Sequence, residues 1–323
     1  MRMKTLSLGL GAVLFPACVA APADTGTSAQ AIIGGQTAST AQFRTVVDLE
    51  NAPGQWFCTG TLIDKDWVLT AAHCLEGETV GNLNVRLDDD DVNNTTGGIV
   101  VAVAEIHANP AFNFQDWDND IGLLKLATSV TDREATPISR DPVAFATSVT
   151  EVGYGDADNN GGGAGVLRKL VTPTVDCAMA ADPGITNANL LCINASDGNS
   201  SCYGDSGGPA FVNVGGKLQV AGITSGGTGE QCTEGWDLYT SVNGELAFVD
   251  QIMLGITPPP PNPDPMPDPM NPDHTTPPGG THDDDDKDSG GCSTGGSGGG
   301  LLLVGTALAM VATRRRRGTD RTP

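Results

Sequence analysis

Short apolar runs separated by turn-forming residues recur from Ile32 to about Val249, and this repetition restricts the chain to an all-β architecture. The runs include Thr45-Val46-Val47-Asp48-Leu49, Trp67-Val68-Leu69-Thr70, Gly98-Ile99-Val100-Val101-Ala102-Val103, Ile121-Gly122-Leu123-Leu124-Lys125-Leu126 and Leu218-Gln219-Val220-Ala221-Gly222-Ile223. Clusters of Gly, Asn and Asp punctuate them, as at Asp156 to Gly165. Such spacing is the mark of short strands joined by tight turns. So many strands in one globular segment suit a pair of β-barrels, because closure removes exposed sheet edges. One helix is expected from Gly244 to about Leu254, where Leu246, Val249, Ile252 and Met253 form an apolar stripe.

The chain has 323 residues, and its composition changes abruptly at Thr257. Pro258-Pro259-Pro260-Pro261 opens a tract of Pro, Asp, Asn and Met that ends in glycine-rich sequence. Repeated proline removes backbone donors and favours extended polyproline II, so the tract reads as a spacer. His274 and His282 lie in it among aspartates and read as solvated linker residues, and Asp283 to Lys287 looks like an enteropeptidase site arising by coincidence. The formal net charge is -22. Residues 32–255 hold 29 acidic and 9 basic side chains, so most of the charge is in the globular part. A nucleic-acid partner would require the opposite sign.

Arg2 and Lys4 followed by the apolar stretch Leu6 to Val19 and small residues at Ala21-Pro22-Ala23 form a secretory signal. Cys18 sits in a poor lipobox, Leu14-Phe15-Pro16-Ala17. Of the eight cysteines, Cys58, Cys74, Cys177, Cys192, Cys202 and Cys232 form an even set inside the globular part. None makes a Cys-x-x-Cys pair, so zinc is not suggested, and an exported chain favours disulfides. Fifteen connectivities remain open on spacing alone. At the other end Cys292, the apolar run Leu301 to Ala312 and Arg314-Arg315-Arg316-Arg317 follow in order. The apolar run is shorter than the roughly 20 residues of a membrane span unless the uncharged Gly and Ser residues before it are counted. This tail resembles the C-terminal sorting signals of surface proteins, closest to the myxobacterial type, and a simple membrane anchor is the alternative.

Three segments bear chemistry: Leu69-Thr70-Ala71-Ala72-His73-Cys74, then Asp118-Asn119-Asp120-Ile121-Gly122-Leu123-Leu124-Lys125-Leu126, then Cys202-Tyr203-Gly204-Asp205-Ser206-Gly207-Gly208-Pro209. A serine hydroxyl is a weak nucleophile at neutral pH and needs an adjacent base. His73 can take its proton and later return it to a leaving amine. A buried carboxylate can hold the imidazole in the right tautomer and stabilise its charged form. Asp116 and Asp118 compete with Asp120 for that part, but only Asp120 immediately precedes the apolar strand. The order His, Asp, Ser and the residues around each resemble the chymotrypsin/trypsin-like serine protease family over Ile32 to about Gly255.

The resemblance implies two six-stranded antiparallel β-barrels with a C-terminal helix, and a serine endopeptidase that acts on proteins or peptides without a required cofactor. It implies His73, Asp120 and Ser206 as the catalytic set, the amides of Gly204 and Ser206 as the oxyanion hole, and Ser225 and Gly227 as part of the strand that meets substrate. It implies disulfides Cys58–Cys74, Cys177–Cys192 and Cys202–Cys232. It also implies activation by insertion of the freed Ile32 amine beside Asp205, since Ile32-Ile33-Gly34-Gly35 matches the mature start of such enzymes. The preceding residue is Ala31 and not Arg or Lys, which points to an activating protease that prefers small residues, or to leader cleavage after Ala29-Gln30-Ala31. His107, in Ile106-His107-Ala108-Asn109-Pro110, resembles a surface-loop residue and takes no catalytic part.

The resemblance places Ser200 at the pocket floor, where trypsin-like members have Asp. Alone this suggests large apolar P1 side chains. Asp237 falls where a small wall residue is usual and could serve Arg or Lys, unless a length difference places it outside the pocket. Basic or broad P1 preference is therefore expected, with a chymotrypsin-like apolar preference as the alternative. Asp88-Asp89-Asp90-Asp91 is an oxygen-rich run of the kind that suits a structural Ca²⁺, and equally a solvated acidic turn; no catalytic metal is expected. The expected organisation is a signal peptide over 1–23, a propeptide over 24–31, the protease domain over 32–255, a linker over 256–291 and a sorting or anchor segment over 292–323. The implied partners are substrates, an activating protease and a sorting enzyme, and a monomer is expected. A non-catalytic surface binding module on the same fold is the main rival.

Overall fold

The computed structural model describes residues 32–255 apart from 53, 181–184 and 186–188. The leader, propeptide, linker and tail, with Cys18 and Cys292, lie outside the described residues. The chain divides into Met1–Asn262 and Pro263–Pro323, and the description concerns the first of these. Among the described residues no helix is long and apolar enough to cross a membrane.

A two-residue strand, β1 (Gln36–Thr37), precedes β2 (Val46–Glu50), β3 (Trp56–Asp64), β4 (Trp67–Thr70), β5 (Asn84–Leu87), β6 (Ile99–Ala108) and β7 (Gly122–Leu126). Strands β2 to β7 close an antiparallel barrel in the order β2-β3-β4-β7-β6-β5. Four of the predicted runs fall on these strands, with β6 extending five residues beyond the apolar run read from sequence, and the fifth, Leu218 to Ile223, falls in the second half. Leu62, Leu69, Leu123 and Leu124 fill the barrel. Each buried side chain of this size contributes about 1.5–3 kcal/mol of transfer free energy.

The second half comprises β8 (Ser148–Gly153), β9 (Arg168–Pro173), β10 (Leu190–Asn194), β11 (Pro209–Val214), β12 (Lys217–Gly227) and β13 (Trp236–Ser241). With β1 they form one seven-stranded sheet, β1-β9-β8-β11-β12-β13-β10, and not the second six-stranded barrel that was expected. The seventh strand is β1, which adds an edge through Gln36–Lys169 and Thr37–Arg168. Closure of the other six is incomplete. A lone bridge joins Val175 to Cys192, and the Cys177–Cys192 disulfide ties the same two segments. Chain leaving β9 thus reaches β10 only at its end, too briefly for a ladder.

Helix α1 (Leu246–Leu254) begins two residues later than the stripe suggested and ends on Gly255, which has φ +62°. That left-handed conformation is the usual glycine C-terminal stop. Val249 is its buried anchor, with Phe248, Ile252 and Met253 packed beside it. All three disulfides implied by the resemblance are present: Cys58–Cys74, Cys177–Cys192 and Cys202–Cys232.

Candidate active site

His73 opens a single 3₁₀ turn, His73–Leu75, directly after β4. Its turn is tied to β3 by the Cys58–Cys74 disulfide. Asp120 immediately precedes β7 and is fully buried. Its approach is shaped by Trp117 and Asn119, both left-handed at φ +58° and +59°. Non-glycine residues rarely adopt that region, and such positions cluster at functional sites. Asp120 meets the histidine twice: Oδ2 lies 2.7 Å from His73 Nδ1, and Oδ1 accepts the His73 backbone N–H at 2.9 Å. Ser225 on β12 donates its hydroxyl to Asp120 Oδ2 at 2.6 Å, and the Thr240 hydroxyl on β13 donates to the Asp120 carbonyl at 3.0 Å. The carboxylate is therefore gripped by both halves of the fold.

Asp116 accepts the Asp118 amide, and neither residue bonds to His73. His107 pairs with Glu105 at 3.0 Å and packs against Trp67, away from the cleft.

Ser206 lies in a loop clamped to the first barrel. Thr59 of β3 donates its amide to the Ser206 carbonyl and its hydroxyl to the Gly204 carbonyl, each at 2.8 Å. The Gly207 amide donates to Thr224 at 2.8 Å. Gly204 and Gly207 have φ +100° and +78°. A Cβ on Gly207 would run into Thr70 and the Thr59 carbonyl, and one on Gly204 into the Trp56 ring. Glycine at both is thus required by conformation and by space. The Gly204 and Ser206 amides donate to no protein acceptor among the described residues, which leaves two backbone N–H groups in one loop free for a ligand. Ser206 and His73 line the same cleft of about 360 Å³. No hydrogen bond joins Ser206 Oγ to His73; the nearest sulfur to Nε2 is Cys74 Sγ at 3.7 Å.

Aromatic rings form the wall beside His73. Phe112, Phe114 and Trp117 have ring centres 6.5, 6.5 and 6.2 Å from it. In the loop that holds Asp116 and Asp118, the aromatic Phe114 and Trp117 are what reach the cleft.

Asp237 on β13 lines the cleft floor and is almost fully buried. The Ser201 amide donates to Asp237 Oδ2 at 2.9 Å, and the buried Ser200 hydroxyl oxygen lies 3.0 Å from Oδ1 and also meets the carbonyls of Ser201 and Cys232. Burial pushes the Asp237 carboxyl up to about 7, against those donors. The structure therefore brings Asp237, Ser225 and Gly227 to one cleft, with Ser200 buried behind Asp237 and not among the residues that line it. No cation pairs with Asp237 among the described residues.

Asp205 is also buried, and its two oxygens accept amides of Gly155 at 2.8 Å and Cys202 at 2.9 Å. Burial pushes this carboxyl up to about 7. Ile32 is buried, with Ile33 bridged to Ser200. No ion pair joins Ile32 to Asp205 here.

The run Asp88 to Asp91 does not converge. Asp88 pairs with Arg133 at 2.7 Å, Asp90 accepts the Thr40 amide, and Asp91 accepts Asn93. Asp89 turns inward toward Arg86 at 4.0 Å. Among the described residues the one grouping of three ligand atoms is Cys58, His73 and Cys74, whose sulfurs are joined in a disulfide and cannot act as thiolates.

A closed six-stranded barrel and a seven-stranded half-barrel sheet, with a buried carboxylate against a histidine that shares a cleft with a serine, form the chymotrypsin-like arrangement of a serine hydrolase. The trypsin family model matches residues 32–250. Trypsin from Sus scrofa is 32% identical over 228 residues, covering 68% of this chain and 94% of the relative. Brachyurin from Leptuca pugilator is 35% identical over 216 residues, 63% of this chain and 90% of the relative. The chain belongs to the trypsin family and is a trypsin-like serine protease.

Proposed function

We propose that the chain is an exported endopeptidase in which Ser206 attacks the scissile carbonyl, His73 moves the proton and Asp120 orients His73. The observation that carries this reading is the Asp120 carboxylate. It is fully buried, 2.7 Å from His73 Nδ1, and fixed by Ser225 on its other side. That contact holds the Nδ1–H tautomer and leaves Nε2 as the base. The Gly204 and Ser206 amides receive the oxyanion, a role worth about a hundred- to a thousandfold in rate per donor. The serine–histidine hydrogen bond forms on substrate binding, since such contacts are often long before then. Covalent labelling by an organofluorophosphonate tests the assignment: Ser206 is labelled in processed protein, and S206A and H73A are not. Absence of labelling in correctly processed protein favours a non-catalytic binding module.

The Ile32 amine, once freed, is the cation that Asp205 lacks. A buried carboxylate held by two amides gains most from a positive partner. N-terminal sequencing of active enzyme should begin at Ile32; any other start removes this mechanism.

Arg and Lys are the preferred P1 residues, with neutral side chains accepted. Asp237 supports this, being a buried, cation-free carboxylate at the cleft floor. Because its folded value is near 7, kcat/KM for Arg substrates relative to Leu substrates should rise with pH through that value. In D237N the ratio should fall at least tenfold and lose its pH dependence. An unchanged ratio removes Asp237 from specificity.

A further inference from the structure

Gly204 supplies one of the two free amides of the nucleophile loop, and it has no side chain with which to anchor itself. Its φ is +100°, in the region that glycine enters readily. Among the described residues it makes one hydrogen bond: its carbonyl accepts the Thr59 hydroxyl of β3 at 2.8 Å. The Trp56 ring and the Gly155 backbone close off the space beside it. Packing of that kind limits volume but gives a peptide group no direction.

Thr59 has the properties of an anchor. It is fully buried. Branching at Cβ leaves threonine few side-chain rotamers. Its methyl faces Gly208, where an added Cβ would stand 3.2 Å from it. With the methyl seated there, the hydroxyl is directed at the Gly204 carbonyl. The same oxygen accepts the Tyr154 amide at 3.4 Å, so it serves as donor and acceptor at once. The Thr59 main chain holds the other end of the loop, its amide donating to the Ser206 carbonyl at 2.8 Å. Its carbonyl accepts the Thr70 hydroxyl at 3.0 Å. Thr70 ends β4, three residues before His73. One strand residue thus connects Gly204, Ser206 and the strand that delivers the histidine.

We propose that the Thr59 hydroxyl is a positioning residue of the oxyanion hole. By holding the Gly204 carbonyl it fixes the rotation of Gly204 and keeps the Gly204 amide aimed where negative charge develops. The inference rests on the reading of the Gly204 and Ser206 amides as that hole. A donor fixed in advance needs no reorientation as the charge appears, which is the source of its catalytic value. A glycine released from its only hydrogen bond samples other φ values and loses that advantage. The effect belongs to the transition state, so it acts on kcat more than on substrate binding. Thr59 itself is buried beneath the loop and acts through Gly204.

The test compares two substitutions. Thr59→Val keeps the branched shape and removes the hydroxyl, whereas Thr59→Ser keeps the hydroxyl and removes the methyl. Active sites are counted by organofluorophosphonate titration. Complete loss of one donor costs about a hundred- to a thousandfold, so in T59V kcat for a peptide amide substrate should fall by about tenfold or more, with KM within about twofold. The inhibition constant of a peptide aldehyde, whose tetrahedral adduct with Ser206 places its oxygen among those amides, should rise by the factor by which kcat/KM falls. T59S should hold kcat within about threefold of wild type, whatever its thermal midpoint. If T59V does not fold, T59A is compared with T59S under the same expectation. Unchanged kcat in the variant lacking the hydroxyl would overturn the proposal. So would equal losses in that variant and T59S, or a change in KM with kcat and aldehyde binding intact. The underlying reading fails separately. An unlabelled Ser206 in processed wild type removes serine catalysis itself, whereas a labelled wild type with an indifferent T59V removes only the role of Thr59.

Discussion

Asp48 offers the sharpest test of the electrostatics. It sits in the middle of β2, whose five residues are all buried. Neither carboxylate oxygen has a hydrogen-bond partner. Its cross-strand neighbour Arg86 is already taken, donating to Glu50 Oε2 at 2.6 Å and to the Gly97 carbonyl at 2.7 Å. Burial, and next the Glu50 charge, push the Asp48 carboxyl from 3.8 up to about 8. An acid raised in the fold favours the native state fully below its unfolded value, and that advantage is lost as pH rises through the folded value. The window is therefore about pH 4 to 8. A gap of about four pH units at about 1.4 kcal/mol each gives a ceiling of about 6 kcal/mol. Asp48→Asn keeps the shape and removes the titration. In an S206A background, which prevents self-digestion, urea unfolding should be followed at intervals from pH 4 to 8. The stability of D48N relative to its parent should improve by about 3–5 kcal/mol across that range. A difference that stays constant with pH would show that Asp48 does not titrate there, and would refute the reasoning.

Three further outcomes follow from the site. Ser225→Ala removes a 2.6 Å bond to a buried carboxylate, and kcat should fall about ten- to a hundredfold with KM little changed, read from steady-state kinetics. Gly207→Ala must accept φ +78° and a collision with Thr70 and Thr59, so organofluorophosphonate labelling should drop steeply and the thermal midpoint should fall. Replacing Cys58 and Cys74 together by Ala opens a crosslink spanning 16 residues, and denaturant unfolding should show a loss of about 3 kcal/mol.

Some of the buried polar groups were legible in retrospect. Glu151 shares its strand face with Val149, at a spacing of two, so an inward acid was written in the alternation. Asp48 stands between Val47 and Leu49 in an apolar run. What alternation cannot supply is the partner. Tyr239 reaches Glu151 from 88 residues away, and Arg86 is drawn to Glu50, leaving Asp48 alone. The second barrel is present only in part, as a half-barrel sheet, for a similar reason. Strand number follows from local pattern, but closure depends on how far the chain after β9 runs beside β10, and the two touch at one bridge, Val175 to Cys192.

By itself the sequence determined the strand-rich class, the position of the helix and the three segments that hold His73, Asp120 and Ser206. These are local: periodicity, turn chemistry and short motifs act over a few residues. It also narrowed specificity to Ser200 and Asp237 without deciding whether Asp237 enters the pocket. Only tertiary structure puts Asp237 in the lining of the cleft, with Ser200 buried 3.0 Å behind it. It likewise placed Thr59 of the first barrel against the nucleophile loop and Ser225 of the second half against Asp120. Contacts between residues more than 100 positions apart are set by which surfaces bury one another, and no local pattern encodes that.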